Sequence, residues 1–388
     1  MATAITAASK RPLDRGAIKR YSASIVSQGV LSAFNFALGI FTLRVLSLHD
    51  FGLFAFVLVL ANAFAGVGNA LASTPLLVMT PALARRGERI RLEATLSAAN
   101  GLMTLTLAGA ATAGFLTFGS SAEFSLAGAA FIAASCLRNH WRVFAFARRV
   151  AGASVVSDLV YVGVATVGLG TIAAATGGTV EVEAALAVLG GASLCSMIAI
   201  RRRLGIALRF RLRRFMPAVY RRVWDESRWS LLGVITTSLQ TQAHSFVVTA
   251  FAGPAAFAPL AAGNALFGPM RMTVVAWQMV ARPDFAAAIG RNDQARLWRT
   301  VKASAAVFLA GNLIFILSLY GVWDFVDAHL FRQKYADQPM LLIVALWTAV
   351  SAVSSMRGVL SGAIQAYRDF RRLALSTVQG GLISMAVA

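Results

Sequence analysis

Charge is scarce in this sequence. Only 13% of its 388 residues are Asp, Glu, Lys or Arg, about half the roughly 25% of a soluble domain. Acids are the scarcer sign, 16 Asp+Glu against 36 Lys+Arg, for a formal net charge of +20. Cysteine is scarce too. Cys136 and Cys195 both lie inside apolar runs without metal-ligand spacing, which speaks against a disulfide framework or a zinc site and makes both small packing residues. No Gly-rich loop leads to a phosphate-binding Lys, and no nucleophile stands with a base, so nothing points to an enzyme or to a cofactor. No small-residue cleavage site follows the polar, basic stretch 1–21, which argues against a cleaved leader.

Apolar surface is abundant. Hydrophobic residues make up 58% of the chain, and the mean hydropathy is +0.69. Lipid is the natural solvent for that much apolar surface. A helix crosses a bilayer with about 20 mostly apolar residues, and ten such runs occur: 22–48, 51–83, 94–118, 124–147, 151–175, 182–200, 229–252, 256–281, 302–322 and 340–364. An eleventh starts near Leu373 and is too short to span comfortably by Ala388. The alternation expected of barrel strands is missing, so the runs are helices. The fold class is all-α, a polytopic membrane protein.

The arginines cluster in alternate loops. One set holds Lys10 to Arg20, Arg85 to Arg91, Arg138 to Arg149, Arg201 to Arg228, Arg282 to Lys302, and Arg357 to Arg372. The intervening loops are short, neutral or acidic, with Glu123, Glu181, Glu183, Asp324 and Asp327. This bias predicts a cytoplasmic N-terminus in a bacterial cytoplasmic (inner) membrane. The basic loops then face anionic lipid, and a nucleic-acid partner is excluded.

The chain also repeats itself. Ala61-Asn62-Ala63 returns as Gly263-Asn264-Ala265 and Pro81 as Pro283, a spacing of 202 in each case (264 − 62, 283 − 81). Arg138 and Ala147 return as Arg357 and Ala366. Six helices per repeat is an even number, so both repeats have the same orientation, related by an axis along the membrane normal. The expected organisation is a basic tail (1–21), a first six-helix bundle (22–200), a basic linker (201–228) and a second bundle (229–388). By the repeat, the second bundle stops inside its eleventh helix, short by some thirty residues.

Charges at bilayer depth suggest function. Arg271 stands near the middle of the 256–281 run, just after Gly268 and Pro269, which should break the helix there. Asn264, Arg271 and Gln278 recur at seven-residue steps and share a face. Asn62 and Asn69 occupy the matching places in the 51–83 run. Two readings stand for Arg271: it pairs a phosphate oxygen of a cargo, which its planar fork of donors suits, or it pairs internally and locks helices. Arg138 and Arg142, with Arg357 as repeat mate, either form a mouth for an anionic headgroup or anchor lipid phosphates. Asp158 either pairs with Arg138 or Arg142 or binds a coupling proton or sodium ion. His244 is either a hydrogen-bonded packing residue or a proton-coupling group. Arg44, at the far end of its run, can snorkel to the surface.

The segment Thr42-Leu43-Arg44-Val45-Leu46-Ser47-Leu48-His49-Asp50-Phe51-Gly52-Leu53-Phe54 resembles the first outer loop of the polysaccharide (O-antigen and exopolysaccharide) flippases of the Wzx type, in the MATE-like (MOP) superfamily. Trp141 to Arg149, followed by Asp158, looks like that family's fourth-to-fifth helix junction. The resemblance implies flipping of an undecaprenyl-pyrophosphate-linked oligosaccharide to the outer leaflet, with Arg44 as a further cavity residue. It implies coupling to a cation gradient or to membrane potential. The implied partners are the lipid-linked oligosaccharide, membrane lipid and the glycan polymerase or export proteins of the same route. A small-solute or multidrug antiporter on the same fold is the alternative, and the scarcity of acids in the runs argues against a cationic drug. A membrane-embedded glycan polymerase would carry a larger outer loop than 323–339. The orientation is testable: a cysteine placed at Arg213 should react with an impermeant maleimide only in inside-out vesicles, and labelling from outside would invert the topology.

Overall fold

The computed structural model describes residues 15–366 and Gln379, apart from 81, 82, 84, 149, 207–214, 332, 333 and a scatter between 272 and 292; side chains are described from Gln28 onward. Among the described residues every regular element is helical. The first half runs α1 (Arg15–Val45), α2 (Leu48–Gly68), a π turn (Asn69–Ser73), α3 (Thr74–Met79), α4 (Arg86–Thr117), α5 (Ala122–Ala147), α6 (Ala151–Ala175) and α7 (Val182–Arg203). The second half runs α8 (Pro217–Ala252), α9 (Pro254–Leu266), α10 (Gln294–Gly321) and α11 (Met340–Ala366), with a short helix Trp323–Val326 and a π turn Asp327–Phe331 between the last two. A helix stands at each of the ten expected places. The expected eleventh, from Leu373, lies outside the described residues.

Among the described residues, seven spans are long and apolar enough to cross a membrane: 28–45, 48–79, 86–117, 152–175, 182–203, 294–321 and 340–361. The chain is a multi-pass membrane protein. The helices at the other three expected places carry more polar residues or a break. α5 carries Glu123, Arg138 and Arg142, and α8 carries Thr236, Gln240, Gln242 and His244. α9 stops at Leu266, where Phe267 forms a turn ahead of Gly268 and Pro269. The loss of the proline N–H ends the regular ladder there, as expected.

The two halves copy each other in order and in their irregularities. α1 answers to α8, α2 to α9, α4 to α10 and α5 to α11. The second span is irregular in both copies, though not in register: the π turn begins at Asn69, whose repeat mate is Arg271, and the break at Phe267 comes about one helical turn before that mate. The copies also meet. A Cβ on Gly52 would lie 1.9 Å from the Pro254 carbonyl oxygen, and residues 52 and 254 are themselves 202 apart. The pseudo-twofold axis therefore passes beside this contact. Much of the 47–52 motif is thereby explained by folding. Ser47 caps α2 by accepting the Asp50 N–H at 3.1 Å, Asp50 sits in the first turn, Phe51 is buried, and Gly52 admits the second half.

The packing is lopsided from end to end. At the end away from the basic loops, one core spans both halves, joining Phe51, Phe54, Val57 and Leu186 to Ala258, Ala262, Phe331 and Val344. At the basic end there are two cores. One holds Leu76, Leu92, Trp141, Ile200 and Val223; the other holds Phe285, Leu297, Val301, Phe308 and Val359. One core thus joins both halves at the first end; at the end that carries the arginine-rich loops the first half packs with the start of α8, and α10 and α11 belong to a core of their own. Of the two cysteines, Cys136 is buried as a packing residue, whereas Cys195 is exposed on α7; the expectation that both pack inside holds for Cys136 alone, because α7 turns Cys195 outward. Gly52→Ala should destabilise the protein by about 1–3 kcal/mol through overpacking, read as a lower melting temperature in detergent; an unchanged melting temperature would show that the two backbones separate freely.

Candidate functional site

The polar residues of the first half are already partnered. Asp158, with no exposed surface, receives Arg138 at 2.7 Å and Arg142 at 2.9 Å. Arg138 also donates from Nε to Ser196 Oγ at 3.0 Å and stacks its guanidinium 4.0 Å from the Tyr161 ring centroid. The Ser157 and Ser196 hydroxyls lie 2.6 Å apart. These contacts tie α5, α6 and α7 into one unit. Asp158 therefore pairs with both arginines, where the sequence suggested one or the other. Arg138 and Arg142 spend their donors inside the bundle, so a cytoplasmic mouth made of them would have to compete with Asp158.

Two further polar groups escaped the sequence reading. Arg148 holds the buried Glu93 through two nitrogens, Nε at 3.2 Å and Nη2 at 2.6 Å. Arg148 reads in the sequence as a loop cation, and only the packing of α4 on α5 gives it a partner. His140 is buried, with Nδ1 3.1 Å from Ser73 Oγ and Nε2 3.1 Å from Ser97 Oγ. It sits two residues past Arg138, so the signal was a histidine inside an apolar run. Beside it, Asn139 Nδ2 donates to Asn69 Oδ1 at 2.9 Å. That bond fixes Asn69 at the start of the π turn.

The second half is different. Arg271 stands in the helical turn that resumes after Phe267, donates to Asn264 Oδ1 and is exposed. The shared face of Asn264 and Arg271 is therefore real. The partner is a neutral amide, so the charge of Arg271 is not cancelled by an acid among the described residues. Asn62, the repeat mate of Asn264, is exposed on α2. Gln278 lies outside the described residues. Arg357 is exposed on α11, and no described acid pairs with it; its repeat mate Arg138 is half-buried and paired. His244 lies beside Ser245 Oγ at 3.1 Å and packs edge-on to Trp347, whose indole N–H donates to Leu260 O at 2.9 Å. A packing role fits that setting.

Arg44 is exposed at the end of α1, far from Arg271 along the chain axis, and shares a pocket with His329 and Lys334. Lys334, in the loop before α11, donates to the carbonyls of Leu43 (3.2 Å), Arg44 and Leu46. An ammonium on the last carbonyls of a helix satisfies orphan acceptors and complements the negative end of the dipole. Burial pushes the Lys334 pKa down from its ordinary value. A loop of the second half is thus fastened to a helix of the first.

The solved structures settle the architecture. A structure described as the inward-facing conformation of a multidrug resistance MATE family transporter of the MOP superfamily superposes with a TM-score of 0.64 at 16% identity, covering 92% of this chain and 84% of that one. A MATE crystal structure in the straight conformation gives 0.56 at 14% identity, covering 95% and 84%. A structure described as the outward-facing conformation of a multidrug resistance MATE family transporter gives 0.50 at 14%, covering 96% and 93%. The fold is that of the MATE transporters. No protein-family model matches the sequence, and no curated protein matches it. Asp158→Asn should cost about 3–5 kcal/mol, because two buried guanidinium groups lose their counter-charge; a thermal-shift assay that shows no loss would mean that water already solvates both arginines.

Proposed function

We propose that this chain is an alternating-access transporter that carries an anionic lipid-linked oligosaccharide, with a pyrophosphate in its head, from the inner to the outer leaflet. The carrying observation is the sign of the accessible charge. The buried acids Asp158 and Glu93 are each held by arginine, whereas Arg271 and Arg357 are exposed with no described acid beside them. A cleft with surplus guanidinium attracts phosphate and repels a cation.

The geometry supports a simple cycle. At the basic end α10 and α11 pack in a core apart from the first half, which offers a line along which the molecule can part. A headgroup entering there would meet Asn62, Asn264 and Arg271 near mid-depth. Asn264 steadies the guanidinium through its carbonyl and leaves the remaining N–H donors for phosphate oxygens. The lipid tail stays in the bilayer. Rocking of the halves about the Gly52–Pro254 contact would then expose the head at the opposite end. With the basic end cytoplasmic, export of one negative charge gains about 2.3 kcal/mol per 100 mV. Membrane potential thereby serves as a driving force without an acidic ion site.

A second reading, a multidrug antiporter, is favoured by the descriptions of the superposed structures. It needs an acid open to the cargo, and the deepest acid here, Asp158, is already closed by two arginines. The two readings separate in one assay. In proteoliposomes, wild-type protein should flip a fluorescent polyprenyl-pyrophosphate glycan and leave ethidium where it is. Arg271→Ala should slow flipping about tenfold or more, the loss expected for one charge-assisted bond. Flipping at the wild-type rate by Arg271→Ala would remove Arg271 from the cargo path, and ethidium export would favour the antiporter.

A further inference from the structure

The pocket at the closed end is lined by Leu43, Arg44, Ala328, His329, Leu330 and Lys334 and has a volume of about 290 Å³. It is remote from the Arg271 face. Its walls come from both halves, α1 on one side and the loop from the 327–331 π turn to Lys334 on the other. Its titratable side chains are all basic types and none is acidic. Lys334 is committed to three main-chain carbonyls at the end of α1. His329 is oriented by its Nδ1 contact to Phe325 O at 2.9 Å and by stacking on the Phe325 ring, centroids 4.1 Å apart. Arg44 is exposed and no described acid pairs with it.

Two positive charges on one small pocket repel each other, and the carbonyls that hold Lys334 are neutral. A multiply charged anion between them would remove that repulsion and fill the guanidinium fork. We infer that this pocket binds a phosphate-bearing anion at the closed end of the transporter, with Arg44 as the principal ligand and Lys334 as the group that holds the two walls together. The inference goes beyond the cargo reading and stands without it, since the pocket shares no residue with the Arg271 face. Because the walls belong to different halves, the site exists only while that end is shut. Bound anion therefore favours the closed end over the open one by mass action.

The test uses the full chain in dodecyl maltoside, which has no phosphate, with inorganic pyrophosphate as probe in calorimetric titration and thermal shift. Pyrophosphate should bind and raise the melting temperature. Binding should survive in Arg271→Ala, which removes the proposed cargo contact, and in Arg86→Gln, an arginine at the start of α4 at the other end. It should weaken about tenfold in Arg44→Gln, the scale of one charge-assisted contact. Ala328→Glu, which puts an acid in the wall and leaves Arg44 in place, should weaken it as much and guards against a misfolded Arg44 variant. Repeating the titration with dihexanoyl phosphatidylglycerol separates the sources: competition with pyrophosphate identifies lipid headgroups as ligands, and its absence leaves free or cargo phosphate. No binding by wild type, binding lost only with Arg271→Ala, or binding as tight as wild type by both Arg44→Gln and Ala328→Glu would overturn the inference.

Discussion

The backbone contact between Gly52 and Pro254 organises the molecule. It is the point where α2 and α9, copies of one another, approach too closely for a side chain. Everything around it follows from that closeness. Small residues, Ala61, Ala258 and Ala262, carry the contact on toward mid-depth, as membrane helices do when packing rather than hydrophobic expulsion holds them together. With α2 and α9 joined there, a single core forms at that end. At the other end α8 packs on the first half, and α10 and α11 form a core of their own.

The halves have the same plan and opposite electrostatics. In the first, intramembrane charge is neutralised: two arginines on one aspartate, one arginine forked on a glutamate. Such pairs make α5, α6 and α7 a rigid unit, since separating them would strand charge in a low dielectric. In the second, the comparable polar cluster is uncharged: Asn312 donates to Ser355 Oγ at 3.2 Å and accepts from Ser351 Oγ at 3.0 Å. Its arginines, 271 and 357, are left accessible. A stiff first half and a second half with unspent positive charge is a sensible division for a carrier of anions, because the cargo can supply the counter-charge that the protein withholds.

The irregular turns belong to the same logic. The π turn at Asn69 is held by Asn139, and its Leu71 carbonyl faces the Tyr220 hydroxyl at 3.3 Å. Freed backbone groups inside a membrane need partners from neighbouring helices. Here Tyr220 of α8 supplies a donor to the backbone and Asn139 of α5 holds the Asn69 side chain, so the bend in the second span is fastened to two neighbouring helices. The break at Phe267 places Arg271 on a fresh turn of helix, from which it reaches back to Asn264 Oδ1.

Much of this was legible in the residues alone. Apolar run length marked ten helices, and alternating arginines paired their loops. The spacing of 202 between Asn62 and Asn264 foretold two copies, and Gly268-Pro269 foretold a break before Arg271. These are local or periodic signals, set by helix geometry and by the cost of charge in lipid. Partnership was not legible. Asp158 could take one arginine or an ion until α5 and α6 were seen to bring two arginines to it. Glu93 and Arg148, 55 positions apart, carry no signal of each other, and Lys334 finds the end of α1 from almost 300 residues away. Sequence determined the solvent, the number of helices and the repeat, because those depend on composition and period. Only the tertiary structure decided which charges are cancelled and which stay open, because that depends on helix rotation and contact across the chain, which hydropathy leaves free.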